Sequence, residues 1–438
     1  MPSYPGSFPK SRQLFERARK VMPGGNTRTT VYIDPFPIYA ERGEGCRVWD
    51  VDGNVFYDCI NNFTAMIHGY AQLEAVAAVN TQMPHGSAFG APTLSEIELA
   101  ELLVDRLPSA DQIRFANSGT EAVMMAIKAA RAFTDRPKIV KIEGAYHGSY
   151  DFAEVSLDSA PANWGDMPNS TAYAKGTPRG VLDDVIAVPF NDAEAAEAVF
   201  SAHGAEIAAV LIDPMPNRAG LIPARRDYLE RLVKAAHAAG ALVIFDEVIS
   251  FRLGYSGAQG LWDIRPDLTA LGKIIGGGFP VGAIAGRAEV MVVFDPTQGK
   301  PALPHGGTFT ANPVTMRAGI AAMQALTQDS FAHLDALGER LRDGTNAALK
   351  KHGLPGSCVG LGSLFKVHFT DNPISDYRSV YPSAKEKAKL DRFHKGLLDR
   401  GVLSASYGLF ALSTPMTMAD AEAILAAIDD TLAEVASA

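Results

Sequence analysis

Residues 241–248 read ALVIFDEV and residues 268–283 read LTALGKIIGGGFPVGA, and these two segments indicate the class of fold. The first contains a short apolar run that ends at Asp246, and the second contains one that ends just before Lys273. Similar runs recur earlier in the chain, at 112–119, 138–144, 184–190 and 207–214. Apolar strands separated by helical segments are typical of a mostly parallel sheet covered by helices. The sequence therefore predicts an α/β fold whose chemistry lies at the carboxyl ends of the strands.

The two ends of the chain differ from this middle region. Near the start, residues 11–22 predict an amphipathic helix, and residues 46–60 predict a hairpin that turns at Asp52-Gly53. After about residue 325, strand-like segments lie between two helices, the second of which begins near Thr417 in a capping-box-like pattern. We predict a smaller α+β domain beside a large one, with an N-terminal segment 1–75, a large cofactor-binding domain 76–324, and a C-terminal part of the smaller domain 325–438.

The composition predicts a globular protein without a nucleic-acid or membrane partner. Of its 438 residues 47% are hydrophobic and 20% charged, and the formal net charge is -9. An acidic chain without a dense basic cluster lacks the surface that nucleic acids require. We find neither a signal peptide nor an apolar stretch of membrane length, and we expect a cytoplasmic protein. Cys46, Cys59 and Cys358 match no metal or disulfide pattern and are expected to be buried thiols.

Asp246 and Lys273 are the first candidates for catalysis. A carboxylate at a strand end is often only a helix cap, but a buried anion also suits a cationic ring nitrogen, which it would keep protonated. Most lysines are solvated surface residues, whereas Lys273 stands between apolar neighbours and Gly276-Gly277-Gly278. Burial would disfavour the charged form of its amine and leave a nucleophile suited to a Schiff base with an aldehyde cofactor.

A candidate phosphate site lies at Ser118-Gly119-Thr120, where a predicted strand runs into a predicted helix. Two hydroxyls, exposed backbone N–H groups and the positive end of the helix dipole together form an anion site. An ordinary helix cap is the commoner role of serine and threonine there, but the glycine between two hydroxyl residues favours phosphate. No Gly-Lys-Ser/Thr follows, so this segment is not a P-loop.

Two further loops carry weaker signals. Tyr146-His147-Gly148 follows the run at 138–144, and its aromatic ring would stack on a flat cofactor, although loop tyrosines more often only pack. Thr308 offers a hydroxyl in the glycine-containing segment GGTFTANP. Neither signal is strong alone. Their combination with Asp246, Lys273 and the helix start in one α/β domain favours pyridoxal 5'-phosphate (PLP).

With these motifs the sequence resembles the class III aminotransferases, which have the type I fold of PLP enzymes. The resemblance covers nearly the whole chain and is most specific in DEVISFRLG (246–254), LTALGKIIGGGFPVGA (268–283), ANSGTEAVMMAIKAARAF (116–133), YHG (146–148) and GGTFTANP (306–313). Residues 35–58 and the segment NNFTAMIHGY (61–70) resemble the branch of glutamate-1-semialdehyde aminomutases and β-amino-acid (β-phenylalanine) aminotransferases.

The resemblance implies a role for each candidate residue. Lys273 would carry PLP as a Schiff base and move protons during catalysis, while Asp246 would pair with the pyridine nitrogen. The other cofactor-binding residues would be Val248 and Tyr146 on the two faces of the ring, His147 next to Tyr146, Ser118, Gly119 and Thr120 at the phosphate, and Thr308 at the phosphate of the neighbouring subunit. Arg42 would bind a substrate carboxylate. These roles imply a homodimer with active sites at its interface.

Two departures from the family pattern concern the substrate. The β-amino-acid enzymes place a second arginine near the C-terminal strand turn, but SASYGLFALSTP (404–415) contains none. The loop IDPMPNRAG (212–220) has Asp213 where the class usually has glutamate, and it carries an extra cation, Arg218. Arg218 could replace the missing carboxylate anchor, although a surface arginine with no such role is the commoner case.

The leading hypothesis is an aminotransferase that moves an amino group from an amine or a β- or ω-amino acid to an α-keto acid, pyruvate or 2-oxoglutarate, in ping-pong order. One alternative is an aminomutase of the glutamate-1-semialdehyde type, which needs no external acceptor. Another is a non-catalytic PLP-binding protein, which an intact Lys273 argues against. A nucleotide-binding dehydrogenase is excluded, because no G-x-G-x-x-G follows the first strand.

Overall fold

The computed structural model describes residues 3–437, and the chain divides into two compact units. The small unit comprises the described parts of Met1–Gln72, Ala332–Asp371 and Pro382–Ala438. The large unit comprises Leu73–Phe331 and Asn372–Tyr381. Both ends of the chain thus contribute to the small unit, and a ten-residue segment from the C-terminal part belongs to the large one.

The strands are β1 (Ala40–Glu44), β2 (Arg47–Asp50), β3 (Val55–Asp58), β4 (Gln112–Ala116), β5 (Lys138–Ile142), β6 (Val185–Val188), β7 (Ile207–Ile212), β8 (Leu242–Asp246), β9 (Leu268–Gly272), β10 (Gly282–Gly286), β11 (Ser357–Leu361), β12 (Leu364–His368), β13 (Val402–Leu403) and β14 (Leu409–Ala411).

The α-helices are α1 (Pro9–Ala18), α2 (Asn61–Thr64), α3 (Leu73–Gln82), α4 (Leu94–Arg106), α5 (Gly119–Thr134), α6 (Asp151–Glu154), α7 (Arg179–Asp183), α8 (Ala193–His203), α9 (Arg226–Ala238), α10 (Glu247–Ser250), α11 (Gly257–Trp262), α12 (Ala288–Met291), α13 (Pro313–Ala325), α14 (Gln328–Lys351), α15 (Ala384–Asp399) and α16 (Met418–Ala436).

A seven-stranded sheet in the order β4-β10-β9-β8-β7-β5-β6 forms the centre of the large unit. The five strands from β9 to β6 are parallel to their neighbours, as predicted, whereas β10 is antiparallel to both β4 and β9. The link between Gly272 and Gly282 is shorter than the dozen or so residues that a parallel crossover needs, so β10 returns in the opposite direction. The predicted α/β class with a mostly parallel sheet is confirmed.

Consecutive apolar residues explain why the central strands are buried. Every residue of β7, β8, β9 and β10 is buried, which is possible because both faces of the sheet are covered. The helix α5 packs on this sheet through small side chains, among them Ala122, Ala126 and Ala130. Their size lets the helix lie close to the strands, and it brings the start of α5 to the strand ends.

The small unit contains the sheets β1-β2-β3-β13 and β11-β12-β14. β2 and β3 form the predicted hairpin, and Gly53 takes a φ of +89° in its turn, a conformation that glycine adopts at little cost. The last helix begins as predicted, with Thr417 and Asp420 in a reciprocal capping box. The first helix ends at Ala18, four residues before the predicted end, and the residues that follow form tighter turns, with hydrogen bonds from Lys20 N–H to the carbonyl of Arg17 and from Val21 N–H to that of Ala18.

Two further expectations concern single features of the chain. All three cysteines are free and buried, as predicted. Between residues 3 and 437, none of the helices has the length and apolar character needed to cross a membrane.

Candidate active site

Lys273 directly follows β9 at the carboxyl end of this buried strand. Its φ of +52° lies in the left-handed region, which is uncommon for a residue with a side chain. Burial lowers the pKa of its amine to about 8, and the nearby carboxylates of Asp246 and Asp213 oppose this shift. A useful fraction of the amine is therefore neutral near physiological pH, as a nucleophile requires.

Asp246 ends the neighbouring strand β8 and is 4% exposed. Its Oδ2 accepts a hydrogen bond from Nδ1 of His147 at 2.7 Å, and its Oδ1 accepts one from the backbone N–H of Val248 at 3.0 Å. Burial lowers the pKa of His147, although the bond to Asp246 acts in the opposite direction. Each carboxylate oxygen can accept a second hydrogen bond, so Asp246 keeps the capacity to hold a cationic ring nitrogen.

The start of α5 supplies an anion site close to Val248. Ser118 is the N-cap residue, and its Oγ accepts the backbone N–H of the residue three positions on at 3.2 Å. A Cβ at Gly119 would lie 2.7 Å from Cγ1 of Val248, so a glycine is required for this close approach. Oγ1 of Thr120 accepts the backbone N–H of Ser149 at 3.3 Å, which ties the helix start to the Tyr146-His147-Gly148 loop. The structure thus brings these predicted residues together.

The residues at this point fit PLP. The Nε2 atom of His147 is buried and lacks a hydrogen-bond partner within the described part of the chain. The amine of Lys273 and the carboxylate of Asp246 suit an aldehyde and a pyridinium nitrogen, respectively. The N-terminus of α5, which has sixteen residues, suits a phosphate. Tyr146 adjoins His147 in the chain and is 42% exposed, and the sequence predicts that its ring stacks on the cofactor.

Asp213 is a site residue whose role the sequence did not predict. It directly follows β7, is 4% exposed, and its Oδ1 accepts the backbone N–H of Met215 at 2.9 Å. Burial, and secondly the charge of Asp246, raise the pKa of Asp213 to about 8. Its position in the sequence could have identified Asp213 as a site residue. Asp213 and Asp246 follow or end adjacent parallel strands, and the carboxyl ends of such strands meet at one edge of the sheet.

A buried lysine supports the loop that carries Tyr146 and His147. Lys141 is the fourth of the five residues of β5 and has no exposed surface, and burial lowers its pKa to about 7. Its Nζ donates to the carbonyl oxygens of Ile142 at 3.1 Å, Ala145 at 3.2 Å and Val155 at 2.8 Å. Three fixed acceptors therefore hold this amine, and through Ala145 it anchors the residue before Tyr146.

The segment Asn372–Tyr381 also contacts the residues that precede Tyr146. Arg378 Nε donates to Oε2 of the buried Glu143 at 2.7 Å, and Ser159 Oγ donates to Oε1 at 2.8 Å. Tyr377 packs so closely over Gly144 that a Cβ there would lie 2.0 Å from its ring. The contacts of Arg378 and Tyr377 could not be predicted from the sequence, because each joins residues more than 200 positions apart.

Thr308 belongs to the large unit, as the residues of this cluster do. Thr308 lines a cavity of about 230 Å³ together with Phe89 and Glu96. Its neighbour Thr310 contacts the helix start instead, since Thr310 Oγ1 accepts a hydrogen bond from Asn117 Nδ2 at 3.2 Å. Reaching the phosphate of a neighbouring subunit therefore stays a prediction for Thr308.

Arg42 belongs to the small unit, in strand β1. Its guanidinium stacks over the ring of Trp49 at 3.5 Å from the ring centre, and its Nη1 forms an ion pair with Glu44 at 3.0 Å. These contacts hold the side chain in a fixed, exposed position. Its binding of a substrate carboxylate stays a prediction.

Comparison with known proteins identifies the family. The family model described as "Aminotransferase class-III" matches residues 30–432. The chain is 40% identical to the glutamate-1-semialdehyde 2,1-aminomutase of Symbiobacterium thermophilum over 437 residues, which cover 98% of this chain and 99% of that protein.

Two solved structures are similar over nearly the whole chain. The omega-transaminase from Sphaerobacter thermophilus has a TM-score of 0.96 and 52% identity, with 99% of both chains covered. The β-phenylalanine aminotransferase from Variovorax paradoxus has a TM-score of 0.87 and 37% identity, with 97% of this chain and 94% of that chain covered. Both the predicted class and the predicted branch are confirmed. The chain belongs to the class III aminotransferases and is a PLP-dependent enzyme.

Proposed function

We propose that this enzyme transfers an amino group from an amine or a β- or ω-amino acid to an α-keto acid, pyruvate or 2-oxoglutarate. The observation that carries this choice is the 52% identity, over 99% of both chains, with an omega-transaminase. The identity with the aminomutase of Symbiobacterium thermophilum is lower, at 40%. The two departures at residues 404–415 and 212–220 also concern substrate carboxylates, and they leave the cofactor-binding residues intact.

The protein's own residues divide the work of such a transfer. When bound, PLP supplies a carbonyl carbon that takes up the amino group and a ring that accepts electrons. The neutral Nζ of Lys273 accepts a proton from the substrate carbon that bears the nitrogen, and later returns a proton. Asp246 supplies the negative charge that keeps a ring nitrogen protonated, and His147 holds Asp246 in place through the 2.7 Å hydrogen bond.

Within one chain, the groups that would bind the phosphate of the cofactor all lie at the start of α5. Ser118, Gly119 and Thr120 would bind the phosphate through hydroxyl and backbone donors at the start of α5, where the helix dipole favours an anion. Val248 packs against Gly119 and would contact one ring face, while Tyr146 would cover the other. The phosphate and the ring of the cofactor would therefore both be held by other residues. The amine of Lys273 is not needed for that and can transfer protons.

We also propose a homodimer, with Thr308 of each chain acting at the partner's phosphate. Large apolar side chains are exposed at one stretch of the large unit, namely Leu73, Val76, Met83, Phe89, Leu94 and Ile97. Exposed apolar residues in such number suggest a protein interface, and Phe89 lines the same cavity as Thr308. Sedimentation equilibrium would detect the dimer. A cytoplasmic location stays a prediction.

The test separates the two half-reactions. Purified holoenzyme is mixed with an arylalkylamine, a β-amino acid or an ω-amino acid, without a keto acid, while the visible absorbance of the cofactor is followed. A donor should bleach that absorbance, and pyruvate or 2-oxoglutarate should restore it. If no pair of donor and acceptor does so, the proposed transamination is wrong.

The second candidate is the aminomutase activity for which the relative from Symbiobacterium thermophilum is named. Such an isomerase needs no keto acid. Incubation with glutamate-1-semialdehyde alone therefore distinguishes the two, because only an aminomutase forms a rearranged amino acid in stoichiometric amounts without an acceptor.

A further inference from the structure

Arg218 lies in the loop that follows β7, and its side chain is exposed. The loop begins at Asp213, whose carboxyl group is close enough to Asp246 and Lys273 for an electrostatic interaction with each. The loop therefore starts at the catalytic lysine's surroundings and runs outward to Arg218. The position of an exposed cation next to such a site is a reason to ask what it binds.

The contacts of the segment Asn372–Tyr381 show which residues surround the loop of Arg218. A Cβ at Gly220 would lie 3.3 Å from Val380 and 3.4 Å from Ile374, so this segment packs on the loop of Arg218. The same segment places Tyr377 over Gly144, next to the loop of Tyr146. The charge of Arg218 also lowers the pKa of both phenols, against the larger effect of burial. The charge of Arg218 is therefore close enough to Tyr146, the residue that would cover the cofactor ring, to act on its phenol.

No carboxylate of residues 3–437 forms an ion pair with Arg218. The next two arginines along the chain differ in this respect, because Arg225 pairs with Asp227 at 3.4 Å and Arg226 with Glu230 at 3.4 Å. A guanidinium presents a planar fork of N–H donors that matches a carboxylate. An unpaired one beside the cofactor loop is therefore suited to an anionic substrate.

We propose that Arg218 binds a carboxylate of the keto-acid acceptor. This assignment rests on the proposed aminotransferase function, since that function requires an acceptor acid. It accounts for the absence of arginine from residues 404–415, because the positive charge is supplied from the loop after β7 instead. It also predicts that neutral amine donors do not need Arg218.

The experiment compares Arg218→Gln and Arg218→Lys with the matched control Arg226→Gln, an exposed arginine of the same unit. The donor half-reaction is measured with a neutral arylalkylamine, and the KM for 2-oxoglutarate and for pyruvate is measured in the full cycle. Binding of glutarate, an unreactive dicarboxylate, to each holoenzyme is measured by calorimetry. A lost charge-assisted hydrogen bond predicts an acceptor KM and a glutarate Kd raised roughly tenfold or more in Arg218→Gln.

We expect a smaller rise in Arg218→Lys, because the charge remains but the fork is lost, and no change in Arg226→Gln. The donor half-reaction should be unchanged in all three. An unaltered KM and an unaltered glutarate Kd in Arg218→Gln would overturn the assignment while transamination itself stands. If the wild type passes no amino group to a keto acid, the proposed function fails, and the glutarate titration still decides whether Arg218 binds a carboxylate.

Discussion

Replacing Arg378 by methionine should destabilise the large unit by about 2 to 3 kcal/mol. Removing one partner of a buried ion pair costs about 3 to 5 kcal/mol, because the other charge is left buried without compensation. Glu143 is only 2% exposed in its side chain, whereas Arg378 is 24% exposed and its pair at 2.7 Å is partly screened. Ser159 also continues to donate to Glu143, which reduces the loss further.

A double-mutant cycle measures this energy by urea denaturation. Glu143→Gln removes the buried charge, so Arg378→Met/Glu143→Gln should lose clearly less stability than the sum of the two single variants. Arg179→Met is the matched control, because Arg179 and Asp183 form an exposed ion pair that should contribute little. The reasoning is refuted if Arg378→Met changes stability no more than the control, or if the two single effects add.

Three further predictions concern the cofactor and the pH dependence of stability. Uptake of PLP by the apoenzyme should accelerate as the pH rises through about 8 and then level off, because only the neutral amine of Lys273 reacts with the cofactor. A rate of uptake that is independent of pH would contradict this prediction. Gly119→Ala should weaken PLP affinity about tenfold in a fluorescence titration, by overpacking against Val248. Adding Val248→Ala should recover only part of that affinity, because Val248 would also contact the ring. An unaffected Gly119→Ala variant would show that the contact has no effect. The hydrogen bond to Asp267 raises the pKa of His237 in the folded protein. The stability that this bond contributes is therefore complete below about pH 6.5 and is lost as the pH rises through the pKa of the folded state. His237→Gln should abolish that part of the pH dependence of the melting temperature, and a profile identical to wild type would exclude this role.

The parallel part of the large unit could be predicted because its strands are continuous apolar runs. Asp246 and Lys273 were recognisable because a charged residue at the end of such a run is unusual and lies at the reactive edge of the sheet. The antiparallel direction of β10 was not predicted, since its composition matches that of the parallel strands. Only the length of the link that precedes it distinguishes the two cases.

The residues that support the site were harder to predict. Lys141 carried one usable signal, a charge within a buried strand, but its three carbonyl partners depend on how the following loop folds back. Glu143 and Arg378 are 235 positions apart, and no local pattern connects them. Asp213 was noted only as a departure from a family pattern, because its raised pKa depends on burial and on Asp246 at the end of the adjacent strand.

Lys273, and no other lysine, should carry the cofactor. The most direct test is to reduce the purified holoenzyme with borohydride, digest it, and locate the cofactor-derived mass by peptide mass spectrometry. We predict a single modified residue, Lys273, and no modification in Lys273→Ala. Lys141 is the informative alternative, since its pKa is also lowered by burial but its amine is held by three carbonyl oxygens. Modification of Lys141, or of no lysine at all, would contradict the account.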